Sequence, residues 1–302
     1  MLRKNPPSES DRPALRRIQA IVNISAGGVG AEAASSLASL MADYGYDLVL
    51  ATPQPADLDR AVAVAVAASP DLVVVLGGDG TARLAAQHCG PQGPLLAVLP
   101  GGTLNMLSQV FYGPLAWQAA LTGALDSGVV RNVSGGRVGN HVFYVAAILG
   151  APALWGAARE AVRAGNVRHA WKRAAYALRR AFTGRIRYGL DGLPARDAEA
   201  LVLINPAISK TLDPDMALEV AELDVHNARE MFRLAFHGLA GHWRQDPGIT
   251  VYRSAHGRAG ALRPIPCILD GELVRLSHRV EFEFVPLAFR ALVLPGAHGA
   301  AL

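Results

Sequence analysis

Along the first 130 residues, short apolar runs alternate with amphipathic stretches, the pattern of a parallel sheet covered by helices. Ile18–Val22, Tyr46–Ala51, Asp71–Leu76 and Leu95–Leu99 read as strands, with helices over Ala31–Tyr44 and Ala56–Ala68. The run DLVVVL at 71–76 is β-branched and does not alternate, which predicts a strand buried on both faces. Beyond about residue 130 the texture becomes alternating: RVGNHVFYV, RIRYGLDG, EALVLIN, MALEVAEL and VEFEFV are separated by Gly, Pro and Asn turns. That pattern predicts the antiparallel strands of a β-sandwich. The expected architecture is an α/β domain over 14–130 and a β-sandwich domain over 131–285. A strand near 286–297 is expected to return to the first domain, and one helical stretch, Trp155–Phe182, to interrupt the sandwich.

Composition agrees with two globular domains: 302 residues, 51% hydrophobic and 18% charged. A formal charge of +4 is too mild to argue for nucleic acid, so none is expected as a partner. The charge is concentrated, however. Arg159–Arg187 carries nine basic residues against Glu160 alone, a local excess of eight. Two cysteines, Cys89 and Cys267, make neither a disulfide framework nor a metal cluster, and a reducing cytosol is the expected setting. The charged N-terminus has no signal-peptide core. The longest uncharged run, Val142–Ala158, is 17 residues and contains Gly150, Pro152 and Gly156. It is short of the roughly 20 apolar residues of a spanning helix and reads as a buried strand and a turn.

Chemistry concentrates where strands end. In LVVVLGGDGTARLA, residues 72–85, the glycines Gly77, Gly78 and Gly80 allow positive φ and let a phosphate approach backbone amides. A helix starting at Thr81 aims its positive end at the same spot, and Asp79 is placed to bind Mg²⁺ or polarise a hydroxyl. The plainer alternative is a strand-to-helix turn capped by Asp79. Two further loops follow strands: VNISAGG, with Asn23, Ser25 and Gly27, and LPGGTLNMLSQ, with Gly101, Gly102, Thr103 and Asn105. Each alone reads as a bend, but at the carboxyl ends of one parallel sheet they describe a nucleotide cleft, bordered by Thr52. Downstream, PCILDGELVRL places Asp270 and Glu272 two residues apart, on one strand face or spread by a turn at Gly271; a hairpin with solvated acids is the alternative.

GGDGT resembles the signature shared by diacylglycerol kinases, sphingosine kinases, NAD kinases and, more distantly, phosphofructokinases. VNISAGG is similar to the Asn-Pro-x-Ser-Gly loop of lipid kinases, with Ile24 in the proline position, and LPGGTLNMLSQ to their Pro-x-Gly-Thr-x-Asn loop. NAD kinases lack that third loop in this form, and their Asn-Glu motif is not found here. LDGEL resembles the lipid kinases' Asp-Gly-Glu motif.

Resemblance to the diacylglycerol kinase-like lipid kinase family implies an α/β nucleotide-binding domain plus a β-sandwich, with ATP and Mg²⁺ as cofactors and transfer of the γ-phosphate to a membrane lipid's hydroxyl. It implies that Gly77–Thr81, Gly101–Thr103 and Asn105 hold the nucleotide and that Asn23, Ser25, Gly27 and Thr52 border it. Glu272, beside Asp270, would be the general base, with Asp79 handling metal or sharing proton abstraction. LDPDMALEV, residues 212–220, resembles a stretch in which Asp215 and the carbonyls of Leu212 and Ala217 would hold Mg²⁺ away from the catalytic centre; a solvated loop fits equally.

Three departures bear on activity: Met106, Ser134 and Leu84 stand where the family has acids. The rivals are a kinase of a soluble acceptor and a nucleotide- or lipid-binding protein that has lost turnover. The expected location is cytoplasmic, peripheral at the inner membrane face, with the Arg159–Arg187 stretch docking on anionic lipid; a homodimer is left open.

Overall fold

The computed structural model describes residues 13–150, 185–206, 217–223 and 249–296. The helical expectation over Trp155–Phe182, with most of the basic stretch, lies outside them, as do Leu212 and Asp215. The chain divides into two compact units, one up to Val133 together with the residues from Leu287 onward, the other Ser134–Pro286.

In the first unit β1 (Arg17–Val22), β2 (Asp47–Ala51), β3 (Leu72–Gly77) and β4 (Leu95–Pro100) alternate with α1 (Ala33–Ala42), α2 (Leu58–Ala67) and α3 (Asp79–Cys89). α4 (Met106–Tyr112) and α5 (Trp117–Ser127) follow. The strand order is β2-β1-β3-β4, all parallel, and the last strand, β16 (Arg279–Val293), adds alongside β4 through Ala291 and Leu96. Every residue of β3 is buried, as its unalternating sequence predicts. Burial of each Val or Leu there contributes roughly 1.5–3 kcal/mol. The tip of α4 is fixed to the returning strand by the Tyr112 hydroxyl, which donates to the Leu292 carbonyl at 2.7 Å in a buried setting.

The second unit is antiparallel. One sheet contains β12 (Ile249–Ser254), β11 (Leu218–Leu223), β10 (Ala200–Ile204), β7 (Ala146–Gly150), β14 (Pro266–Leu269) and β15 (Glu272–Arg275), in that order. The other joins the first half of β16 to β13 (His256–Gly260), β8 (Ile186–Leu190) and β9 (Arg196–Ala198), with β5 (Val129–Val138) paired to β6 (His141–Phe143). Inward-facing residues of the two sheets, among them Leu149, Leu203 and Cys267 from one and Tyr188, Ala259 and Phe282 from the other, share one core, the sandwich expected from the alternating segments. Of the uncharged run, Ala146–Gly150 enters it as β7, which ends at Gly150 with φ 111°. Among the described residues no helix is long and apolar enough to cross a membrane.

Candidate active site

In the first unit, four strands of the parallel sheet release their chains at one edge: β1 into Asn23, β2 into Thr52, β3 into Gly78 and β4 into Gly101. Three of the resulting loops are bonded to one another. Asn23 donates from its side-chain nitrogen to the Thr81 hydroxyl at 2.9 Å and takes the Ser25 amide on its Oδ1 at 3.1 Å. The Gly28 amide donates to the Gly101 carbonyl, and the Gly101 amide to the Gly77 carbonyl, both at 2.9 Å. Asn105 closes the third loop on itself: its Oδ1 accepts from the Gly102 amide at 2.7 Å, and its Nδ2 donates to the Gly102 carbonyl at 2.9 Å. This requires left-handed backbone at Asn105, φ 51°, a conformation asparagine tolerates better than most residues.

The expectation of positive φ at Gly77, Gly78 and Gly80 is corrected, since none of them has it and neither do Gly101 and Gly102; Gly77, Gly101 and Gly102 serve close approach instead. A Cβ on Gly101 would stand 2.5 Å from Val29 and 2.9 Å from the Gly77 nitrogen, and one on Gly102 would stand 2.6 Å from the Gly78 Cα. On Gly77 it would meet the Thr81 hydroxyl at 2.6 Å. Gly27 has open space around it. Ser25, Thr52, Gly80 and Thr103 are exposed along this edge.

α3 begins two residues earlier than the expected Thr81, at Asp79, with Gly78 in extended backbone at its N-cap and no side chain capping it. Amides of its first turn therefore have no partner inside the helix and present the positive end of its dipole to the loops. Asp79 does not cap α3. The backbone N–H groups of Met106, Leu107 and Asn105, at the start of α4, together with its own, favour the charged form of its carboxylate. Burial nonetheless dominates and holds the Asp79 carboxyl above the ordinary carboxylate range.

In the second unit, Asp270 and Gly271 form the two-residue turn between β14 and β15, with φ 48° and 94°, the mirror-image turn that Asp-Gly favours. The turn spreads the two acids. Asp270 is not solvated: its oxygens accept the N–H groups of Tyr144 and Val145 at 2.8 Å and of Ala146 at 3.0 Å. Glu272 opens β15 and is exposed. Ala217, the described member of the proposed second metal site, lies just before β11 and is half-buried.

The sequence reading missed Asn205. Fully buried at the end of β10, it accepts from the Ser134 hydroxyl at 2.8 Å and donates to the carbonyls of Ser134 and Tyr144 at 2.7 and 2.6 Å. Ser134, noted only as a missing acid, is thus part of a buried polar knot beside the segment that Asp270 clamps. The one signal was a polar residue ending an apolar strand, Asn205 in VLINP. Among the described residues no three His, Cys, Asp or Glu side chains are grouped to hold a metal ion.

In open parallel sheets ligands bind beyond the carboxyl edge, where these glycine loops are joined. Residues 17–138 match the diacylglycerol kinase catalytic domain family. Among solved structures, a diacylglycerol kinase from Bacillus anthracis is 17% identical, with a TM-score of 0.67 over 95% of this chain and all of that one. A second structure from that organism is 18% identical, with a TM-score of 0.72, covering 96% of this chain and 99% of the other. An NAD kinase from Archaeoglobus fulgidus, solved with ATP, is 11% identical, with a TM-score of 0.54 over 93% of this chain and 95% of that one. At these identities the structures establish the fold alone.

Proposed function

We propose that this chain is an ATP-dependent kinase that transfers the γ-phosphate of ATP to the hydroxyl of a membrane lipid such as diacylglycerol. The observation that carries the reading is the junction of three loops in the first unit, where glycines leave no side chains between backbone strands and the uncapped α3 faces the same edge. Phosphoryl transfer asks a protein chiefly for positioning and for donors that meet phosphate oxygens. Amides of Gly78, Gly80 and Thr81 are the proposed donors; Asn23 and Asn105 shape the loops through the bonds described. Bound Mg²⁺ would neutralise phosphate charge. With no acidic cluster among the described residues, it would be held largely by the nucleotide itself, with Asp79 the nearest proposed protein oxygen.

Glu272 is the proposed general base: it is exposed and follows a turn whose position Asp270 fixes. The acceptor and the anionic membrane surface are proposals from the family resemblance; the likeness to an NAD kinase keeps a soluble acceptor as the second reading.

The test is transfer of labelled phosphate from ATP across a panel of vesicle-borne lipid alcohols, with NAD as the soluble comparator. A labelled lipid phosphate is expected. Glu272→Gln should lower turnover by about a hundredfold or more while ATP affinity stays within about twofold. Labelled NADP, or ATP binding without transfer to any acceptor, would replace the reading with one of its rivals.

A further inference from the structure

The second unit carries a hollow of about 930 Å³ on the outer face of its β16–β13–β8 strands, and neither the nucleotide loops nor the Asp270–Glu272 turn lines it. Strand alternation determines what stands there. Ile186, Tyr188, Ala259 and Phe282 point into the core, so Arg187, Gly189, Arg258, Gly260, Arg279 and Glu281 occupy the opposite face. Register sets them in rows, with Arg187, Gly260 and Arg279 in one and Gly189, Arg258 and Glu281 in the next. The two glycines leave space that arginines occupy. The Arg258 Nε lies 3.3 Å from where a Gly189 Cβ would be, and the Arg279 Cγ 3.7 Å from that of Gly260.

A solvated face of mixed charge would pair these cations. It does so at Arg137, which Glu283 pairs at 3.0 Å, while Asp191 is taken up by the His256 backbone N–H at 3.0 Å. Of the arginines that line it, Arg258, Arg275 and Arg279 make no ion pair among the described residues, although Glu281 is the direct cross-strand partner of Arg258. Guanidinium groups left open around a concavity are suited to bidentate contact with phosphate oxygens. The volume falls within the roughly 300–1,000 Å³ of small-molecule sites, more than a bare anion needs.

We propose that this hollow is a second ligand site, which takes a phosphate-bearing molecule with Arg258 and Arg279 on the phosphate and Arg275 at the rim. The proposal stands independently of the nucleotide loops.

Its test uses the full chain with those loops saturated by a non-hydrolysable ATP analogue. Calorimetric titration with inorganic phosphate and with glycerol 3-phosphate probes a soluble ligand, and sedimentation with phosphatidylcholine vesicles, with and without phosphatidic acid, probes a lipid headgroup. Binding in either arm is expected, weakened at least about tenfold by Arg258→Gln with Arg279→Gln, about 1.4 kcal/mol, and unchanged by Arg263→Gln, an exposed arginine outside the hollow. Phosphatidic acid alone giving an arginine-dependent signal identifies the headgroup as ligand; glycerol 3-phosphate giving it identifies a soluble one. Equal binding by the double variant, or no binding in either arm, overturns the proposal.

Discussion

Asp79 in the first unit and Asp270 in the second solve the same local problem. Each is an acid beside a glycine, and backbone N–H groups of a distant segment act on its carboxylate: those of residues 105–107 favour the charged form of Asp79, and those of 144–146 hydrogen-bond Asp270. Their glycine neighbours differ. Gly271 is needed for its φ of 94° and has nothing within 4 Å of a would-be Cβ, whereas Gly77, Gly101 and Gly102 keep ordinary φ and are needed because backbone or a side chain fills the space. One motif thus uses glycine as a turn and the other as an absence. The lesson is that each acid does its first work in architecture, and any catalytic part is added to that.

The largest effect that would separate the two regions is expected at Asp270. Asp270→Ala leaves three backbone N–H groups without their acceptor, a loss of roughly 3 kcal/mol, and should lower the melting temperature by several degrees. Asp270→Asn should recover part of that, since its Oδ1 still accepts. Equal melting temperatures for Asp270→Ala and wild type would remove the clamp from the comparison.

Next in size are the glycines. Gly101→Ala forces a methyl against Val29 and the Gly77 backbone, a typical cost of about 1–3 kcal/mol, and should weaken ATP binding as the loops part. Gly271→Ala meets only the positive-φ penalty, about 1 kcal/mol, and should leave ATP affinity unchanged. Denaturant melts and ATP titrations of the pair would sharpen the distinction; the reverse order of effects would break it.

Much of this was legible in the chain. Unalternating DLVVVL gave a strand buried on both faces, and alternating RIRYGL gave one with Arg187 outward and Tyr188 inward, because burial and side-chain period are local properties. Asp-Gly between apolar runs spelled the β14–β15 hairpin. What stayed hidden depends on partners remote in sequence. GGDGT cannot tell whether a glycine serves φ or proximity, since the atoms that would collide at Gly101 and Gly102 belong to other loops. Asp79's tie to α4 and Asn205's knot with Ser134, 71 positions away, are likewise set by tertiary placement. For the same reason Ser134 read as a missing acid when its hydroxyl has a buried partner.

The smallest effect, and the most discriminating for Asp79, is in its pH dependence. Burial raises the Asp79 pKa in the folded chain, so its protonated form favours folding; that contribution is fully present below the unfolded carboxyl value and is lost as pH rises through the raised folded value. Asp71 has the opposite sign. The backbone N–H groups of Arg17 and Arg16, each at 2.9 Å, lower its pKa, so its contribution is present above the unfolded carboxyl value and disappears as pH falls through the folded one. Asp79→Asn should therefore melt at or above the wild-type temperature at pH 7 and lose that advantage on acidification. Asp71→Asn should melt below wild type at pH 7 and converge with it in acid. Melting curves between about pH 3 and 7 check both, and saturating ATP with Mg²⁺ adds a further handle, because a cation beside Asp79 would stabilise its charged form and erase the gain of Asp79→Asn. A gain that persists with Mg·ATP bound would place the metal away from Asp79.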